Sequence, residues 1–217
     1  MGRLDNKVAF ITGAARGQGR SHAVWMAREG ADIIGSDICG PVDTSPLEPT
    51  SLQDLEETKR LVEAEGQRIA IFTADVRSSS ALQAAVDKGM EEVGPIDIVV
   101  ANAGTWSNGE AWTLDESTWQ QMIDVNLSGV WRTVKATVPG MLERDQGGSI
   151  ILTSSICGLA GVGGLAHYVS AKHGVLGLMK ALVGELGPAS IRVNAICPTN
   201  VDTPMIDNQY CRALFVP

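Results

Sequence analysis

Residues 7–12 form a short apolar run, Lys-Val-Ala-Phe-Ile-Thr, that breaks at once into Gly13-Ala14-Ala15-Arg16-Gly17-Gln18-Gly19. A helical pattern then occupies residues 20–29. Few folds accommodate a strand, a glycine-rich turn and a helix with nothing between them. A parallel α/β sheet does, because each strand hands over directly to a helix packed on its face. Gly13 permits the tight turn. Gly17 and Gly19 allow close backbone approach to a ligand and let the helix pack on the strand. The helix start presents unpaired amides and a positive dipole end, which suits a pyrophosphate. The spacing is Gly-x-x-x-Gly-x-Gly rather than the commoner Gly-x-Gly-x-x-Gly. No Lys-Ser/Thr follows the last glycine, so a P-loop nucleotidase is excluded.

The alternation continues along the chain. Strands are predicted over residues 31–37, 68–74, 96–101, 148–154 and 191–197. Helices are predicted from Ser51, whose partner Asp54 stands three residues on, and over residues 81–93, from 115 to about 138, and over 167–186. Residues 38–51 are rich in Pro, Gly, Ser and Thr and aperiodic, so they read as a long loop leaving the second strand. This order predicts a doubly wound parallel sheet with helices on both faces. With 217 residues, the whole chain, 1–217, reads as a single dinucleotide-binding and catalytic domain.

Composition narrows the partners. The formal net charge of −8 argues against nucleic acid and against an anionic membrane surface, both of which need basic patches. An anionic ligand must therefore be held by local dipoles. Cys39, Cys157, Cys197 and Cys211 show no Cys-x-x-Cys spacing and read as free thiols in a reducing compartment. No apolar run spans a bilayer and the start lacks a signal core, so a cytoplasmic location is expected. His22, His167 and His173 have no metal-ligand spacing and read as ordinary helix residues, so no metal is expected. No Gly-x-Ser-x-Gly elbow is present, which disfavours an α/β-hydrolase.

The chemistry concentrates in two places. Tyr168 and Lys172 are four residues apart, which on a helix puts both on one face. A phenol is a poor acid or base near neutral pH, and a fixed ammonium lowers its pKa. A shift of about three units costs about 4 kcal/mol, roughly what one charge at about 4 Å supplies at an effective dielectric near 20. Ser155 arrives from the preceding strand, placed to bind a substrate oxygen. At the other end, Asp37 closes the second strand, where a carboxylate accepts from ribose hydroxyls and repels a 2′-phosphate. Arg16 is a weaker signal in the opposite direction. Asp75 reads either as a contact to an adenine amino group or as a helix cap before Ser78. Asn102 can bridge neighbouring strands, and Gly104 gives close approach. Asn126 sits mid-helix, where its modest propensity cost suggests a kink that holds a water. Trp25, Trp119 and Trp131 read as packing residues, and Trp106 and Trp112 as candidates for a substrate mouth.

Taken in order, the glycine turn, Asp37, Asn102-Ala103-Gly104, Asn126, Ser155, Tyr168 and Lys172 resemble the short-chain dehydrogenase/reductase family over essentially the whole chain. Gly-Ala-Ala-Arg-Gly-Gln-Gly-Arg-Ser-His, Asp-Ile-Cys-Gly-Pro-Val-Asp-Thr and Pro-Thr-Asn-Val-Asp-Thr-Pro-Met resemble its carveol-dehydrogenase-like branch. The resemblance implies a Rossmann-type sheet of strand order 3-2-1-4-5-6. It implies NAD as cofactor, covered by the long loop after Asp37. Gly13, Arg16, Gly17, Gln18 and Gly19 would contact it, as would Asp37, Ile38, Asp75 and Val76. Asn102, Ala103, Gly104, Tyr168 and Lys172 would line the nicotinamide side, together with Pro198, Asn200, Val201 and Thr203. Asn126, Ser155, Tyr168 and Lys172 would be catalytic, interconverting a secondary alcohol and its ketone. The apolar stretch 158–165 and Met205-Ile206 hint at a terpenoid or alicyclic compound.

The same resemblance implies a homo-oligomer, a homotetramer if the C-terminal tail is present, and an external redox partner such as mycofactocin. An NADPH-dependent ketoacyl reductase is disfavoured by Asp37, and a non-catalytic NAD-binding regulator by the complete Ser–Tyr–Lys–Asn set. Two departures stand out. Ala101 occupies a position that is often Asn in the family. The chain ends at Pro217, inside what resembles the substrate-covering loop, so a further helix and seventh strand are expected to be missing.

Overall fold

The computed structural model describes residues 2–215. Six strands form one parallel sheet, β1 (Val8–Thr12), β2 (Asp32–Asp37), β3 (Ile69–Thr73), β4 (Ile98–Ala101), β5 (Gly148–Thr153) and β6 (Ile191–Ile196). Their order is β3-β2-β1-β4-β5-β6, as the resemblance implied. The order reverses between β1 and β4, and a crevice at such a switch point is where α/β sheets bind ligands. Helices α1 (Gly17–Arg28), α2 (Leu52–Ala64), α3 (Ser79–Glu92), α4 (Glu116–Ile123), α5 (Gly129–Arg144), α6 (Ala166–Leu186) and α7 (Gln209–Phe215) complete the fold.

Strand β1 shows why both faces are covered. Every residue in it is buried, and its side chains alternate between two cores. Val8 and Phe10 join Ile34, Val99, Ile150 and helix residues such as Val134 and Val175 on one face. Ala9 and Ile11 join Ile33, Val100, Ala23 and Leu55 on the other. A strand buried on both sides cannot show polar alternation, which is the apolar run seen in the sequence.

Three expectations change. Helix α1 starts at Gly17, inside the glycine turn, and Gly17 adopts φ +55°, which glycine tolerates. The predicted helix ending near 138 runs on to Arg144 through Pro139. Between α4 and α5 it contains a π-helical turn, Asp124–Ser128, with Asn126 at its centre. The sequence-based kink is therefore an inserted residue in the helical ladder. Trp25, Trp119 and Trp131 are not core residues, being 59%, 39% and 45% exposed. On α1 the buried stripe is Gly19, Ala23 and Ala27, so Trp25 lies outside and stacks under Arg28, 4.7 Å from its ring centroid. Lys135 covers Trp131 in the same way at 5.2 Å. Among the described residues no helix is long and apolar enough to cross a membrane.

Candidate active site

The C-terminal ends of the strands open onto one cavity of about 450 Å³. Nearly every residue singled out from the sequence borders it. Gly13, Arg16, Gly17, Gln18, Asp37 and Ile38 line one end, with Asp75 and Val76 beside them. Asn102, Ala103, Gly104 and Asn126 also line the cavity, as do Ser155, Tyr168 and Lys172. Pro198, Asn200, Val201 and Thr203 close the side. Among the candidate cofactor contacts the exception is Gly19. A Cβ there would lie 1.9 Å from the Gly13 carbonyl oxygen and 2.8 Å from Asn102 Nδ2. Gly19 therefore packs the helix on the turn and does not face the ligand space. Gly19→Ala is expected to lower Tm by roughly 5–10 °C, about 2–4 kcal/mol, because backbone must move. An unchanged thermal melt would contradict this packing role.

Asn102 fastens the turn. Its Nδ2 donates to the carbonyls of Thr12 at 3.0 Å and Gly13 at 3.3 Å, so it bridges β4 and β1 as expected. Asp37 is buried and already holds three donors. Its Oδ2 accepts from Ala15 N at 3.1 Å, and its Oδ1 from Cys39 N at 3.1 Å and Thr50 Oγ1 at 2.6 Å. The Arg16 guanidinium donates to the Glu48 carbonyl. Asp75 is paired with Arg77 at 2.6 Å, while Ser78 caps α3 by accepting from Ala81 N at 3.2 Å. The helix-cap reading of Asp75 is thus corrected, because the hydroxyl of Ser78 lies nearer the first free amides.

The connection of residues 38–51 crosses the cavity as a strap. Thr44 N donates to Gln121 Oε1 at 2.9 Å, and Ser45 Oγ to the Trp106 carbonyl at 3.2 Å. Thr50, Ser45 and Gln121 carried no motif, so their roles were not visible in the sequence.

At the other end, Asn126 is fully buried against the loop after β4. Its Oδ1 accepts from Thr105 N at 3.2 Å and its Nδ2 donates to Thr105 O at 3.0 Å. Lys172 is 3% exposed, and its Nζ donates to the Thr153 carbonyl at 2.9 Å. Burial pulls the Lys172 pKa down to about 8. The Lys172 ammonium lies 5.6 Å from the Tyr168 ring centroid. Burial pushes Tyr168 up to about 12, with the Ser155 hydroxyl pulling the other way. The expectation that Lys172 alone makes the phenol acidic is therefore corrected. Desolvation of the phenolate is the largest influence on the group and outweighs what pulls it down.

Trp106 is 4% exposed and lines the cavity, whereas Trp112 is 80% exposed and does not. Trp106, Cys157, Leu165 and Cys211 form an apolar cluster, packed by Leu47, Tyr168, Val169, Met205 and Ile206. His167 is also unlike its sequence reading. It is fully buried, with Nε2 2.9 Å from Ser107 Oγ. All four cysteines are free, and among the described residues no group of His, Cys, Asp and Glu could hold a metal ion.

Known proteins share this arrangement. The family profile for short chain dehydrogenases matches residues 7–212. The crystal structure of carveol dehydrogenase from Mycobacterium avium, in complex with NAD, superposes with a TM-score of 0.98 at 51% identity, covering 100% of this chain and 79% of that one. A short chain dehydrogenase from Mycobacterium paratuberculosis, bound to NAD, gives a TM-score of 0.95 at 45% identity, covering 99% and 79%. The (-)-trans-carveol dehydrogenase of Rhodococcus erythropolis is 46% identical over 218 residues, covering 100% of this chain and 79% of that protein. Agreement over the full chain, in sequence and in fold, leaves one assignment: the chain belongs to the short-chain dehydrogenase family and resembles its carveol dehydrogenases.

Proposed function

We propose that this chain is an NAD-dependent oxidoreductase that interconverts an apolar, alicyclic secondary alcohol and its ketone, with Tyr168 as general acid and base. The observation that carries the reading is that Ser155, Tyr168 and Lys172 share one cavity with the glycine turn. The residues fit a dinucleotide. Gly13 takes φ +69°, and a Cβ there would lie 2.8 Å from Ala103 Cα, so the turn admits only a bare backbone. Helix α1 has no side-chain cap, which leaves its first amides for an anion. A carboxylate offers about four acceptor sites, and three at Asp37 are filled, so one remains for a ribose hydroxyl. Thr153 Oγ1, buried at the cavity, has no partner among the described residues.

Asp37 favours NAD because its charge repels a 2′-phosphate, while Arg16 is engaged by the strap. Asp37→Ala is expected to weaken NAD binding by roughly 10–100-fold, the loss of a charge-assisted hydrogen bond, and to narrow the gap to NADP. Calorimetric titration with both dinucleotides checks this, and an unaltered preference would remove Asp37 from the ribose site.

When bound, NAD supplies a cationic ring that accepts hydride. Tyr168 takes the alcohol proton in oxidation and returns one in ketone reduction. With its pKa pushed up to about 12, the phenol stays protonated near neutral pH in the protein alone, the form that serves reduction. Ser155 holds the substrate oxygen and steadies its developing charge. Lys172, charged below about pH 8, favours the phenolate form of Tyr168. Asn126 holds the π-turn against Thr105 and connects Lys172 to solvent through a water. The apolar cluster around Trp106 suits a hydrocarbon ring.

The strap makes the bound cofactor slow to exchange, so reoxidation falls to an external carrier such as mycofactocin. The whole chain acts as a single catalytic unit in the cytoplasm, within a homo-oligomer. An assay with cyclic and open-chain secondary alcohols, NAD or NADP, and an artificial electron acceptor tests the reading. Turnover with NAD and a cyclic alcohol is expected, and none with any alcohol would overturn it.

A further inference from the structure

The segment that follows β4 is bonded to the glycine turn, to Asn126, to the strap and to α6. Asn102 grips the glycine turn, and Thr105 is bonded on both sides to Asn126. The Trp106 carbonyl accepts from Ser45 of the strap, and Ser107 is bonded to His167 in the first turn of α6. That helix carries Tyr168 and Lys172, yet its N-terminus has no side-chain cap. The Ser107–His167 bond is the side-chain link that joins the Trp106 wall to the start of the catalytic helix.

His167 is an uneconomical choice for a core position. It is fully buried, and Nδ1 has no partner among the described residues. Whichever nitrogen carries the proton, one stays unsatisfied, and an unsatisfied buried polar atom is destabilising. Burial keeps the ring neutral by lowering its pKa. A leucine would occupy this position without that cost. What the imidazole adds is a directional bond to the residue next to Trp106.

We propose that the His167–Ser107 pair is a positioning device that fixes the Trp106 indole against the catalytic helix and so determines which alcohols fit. This rests on the function proposed above. It predicts an effect on the fit of ring-shaped alcohols and little effect on proton transfer, because neither side chain borders the cavity.

The test uses Ser107→Ala, His167→Leu and the conservative His167→Gln, each with acrylamide quenching of fluorescence and steady-state kinetics. Trp106 is 4% exposed and the other four tryptophans are 39–80% exposed, so the quench-protected emission belongs to Trp106. In Ser107→Ala and His167→Leu the quenching constant of that component is expected to rise about threefold. The KM for a cyclic secondary alcohol should rise about tenfold, the usual scale for a misfitting apolar wall, with kcat within about threefold. The KM for a small open-chain alcohol should stay within about twofold, and His167→Gln should restore both readouts. Continued protection of Trp106 in Ser107→Ala would overturn the proposal. So would an equal rise in both KM values, or a fall in kcat with KM unchanged. If the native protein turns over no alcohol, the functional reading fails by itself. The quenching comparison and its rescue by Gln still decide whether the pair positions Trp106.

Discussion

Tyr168→Phe is expected to lower kcat/KM for alcohol oxidation by about a thousandfold, within the range found when a general acid–base is removed. The substitution deletes one oxygen from a residue at the cavity, so Tm should stay within about 2 °C, in keeping with a small stability change. Affinity for NAD should change by less than about threefold. The pH dependence gives the sharper signature. Tyr168 is raised to about 12 in the protein alone, so its phenolate is the scarce form at neutral pH. Below the apparent pKa of the loaded enzyme, oxidation should climb nearly tenfold per pH unit, and Tyr168→Phe should lose that limb. Ketone reduction needs the protonated phenol and should lack the rise. A Phe variant with near-native turnover, or one that retains the acid limb, would contradict the assignment.

Lys172→Met carries the second large effect, and its two readouts move in opposite directions. Removing the ammonium should lower kcat/KM by about a hundredfold or more, because the phenolate loses its nearest positive charge. Stability should rise. Lys172 is buried, which lowers its folded pKa to about 8 from the ordinary 10.5. Below about pH 8 both folded and unfolded chains bind the proton, and the folded state bears the full cost, roughly 3 kcal/mol. Between pH 8 and 10.5 the folded chain binds fewer protons than the unfolded one, so native stability climbs with pH and the cost disappears. Methionine avoids the cost but leaves the Thr153 carbonyl without its donor, a loss of about 1–2 kcal/mol. The balance predicts a Tm increase of roughly 2–5 °C at pH 7 that vanishes or reverses near pH 10. Tyr168 acts with opposite sign at higher pH. The unfolded phenol ionises first, so its contribution declines from about pH 10 to about 12. Thermal melts of both proteins across this range check the crossover. A variant less stable than the native protein at pH 7 would show that the buried ammonium is better compensated than its surroundings indicate.

The strands and the glycine turn were legible because their signals are local, whereas the sheet order came from the family resemblance. Strands buried on both faces read as apolar runs, as β1 does, and glycine turns and helix caps such as Ser51 with Asp54 act within a few residues. Tyr168 and Lys172 were legible through helical spacing, and Asn126 through its mismatch with a helix interior. Features that depend on distant partners were not. Nothing near Thr50 announces that its hydroxyl meets Asp37, and nothing near His167 points to Ser107, sixty residues away. The tryptophans misled because size alone suggests a core, whereas the alanine stripe on α1 leaves no room for Trp25 inside. The Tyr168 pKa misled because one-charge arithmetic omits desolvation.

Single-turnover transfer of deuterium from a cyclic secondary alcohol labelled at the carbinol carbon tests the central claim most directly. The native protein loaded with NAD should yield one deuterium per bound cofactor in the recovered dinucleotide, and Tyr168→Phe should deliver it about a thousandfold more slowly. No label from the native protein, or label at the native rate from the Phe variant, would contradict it.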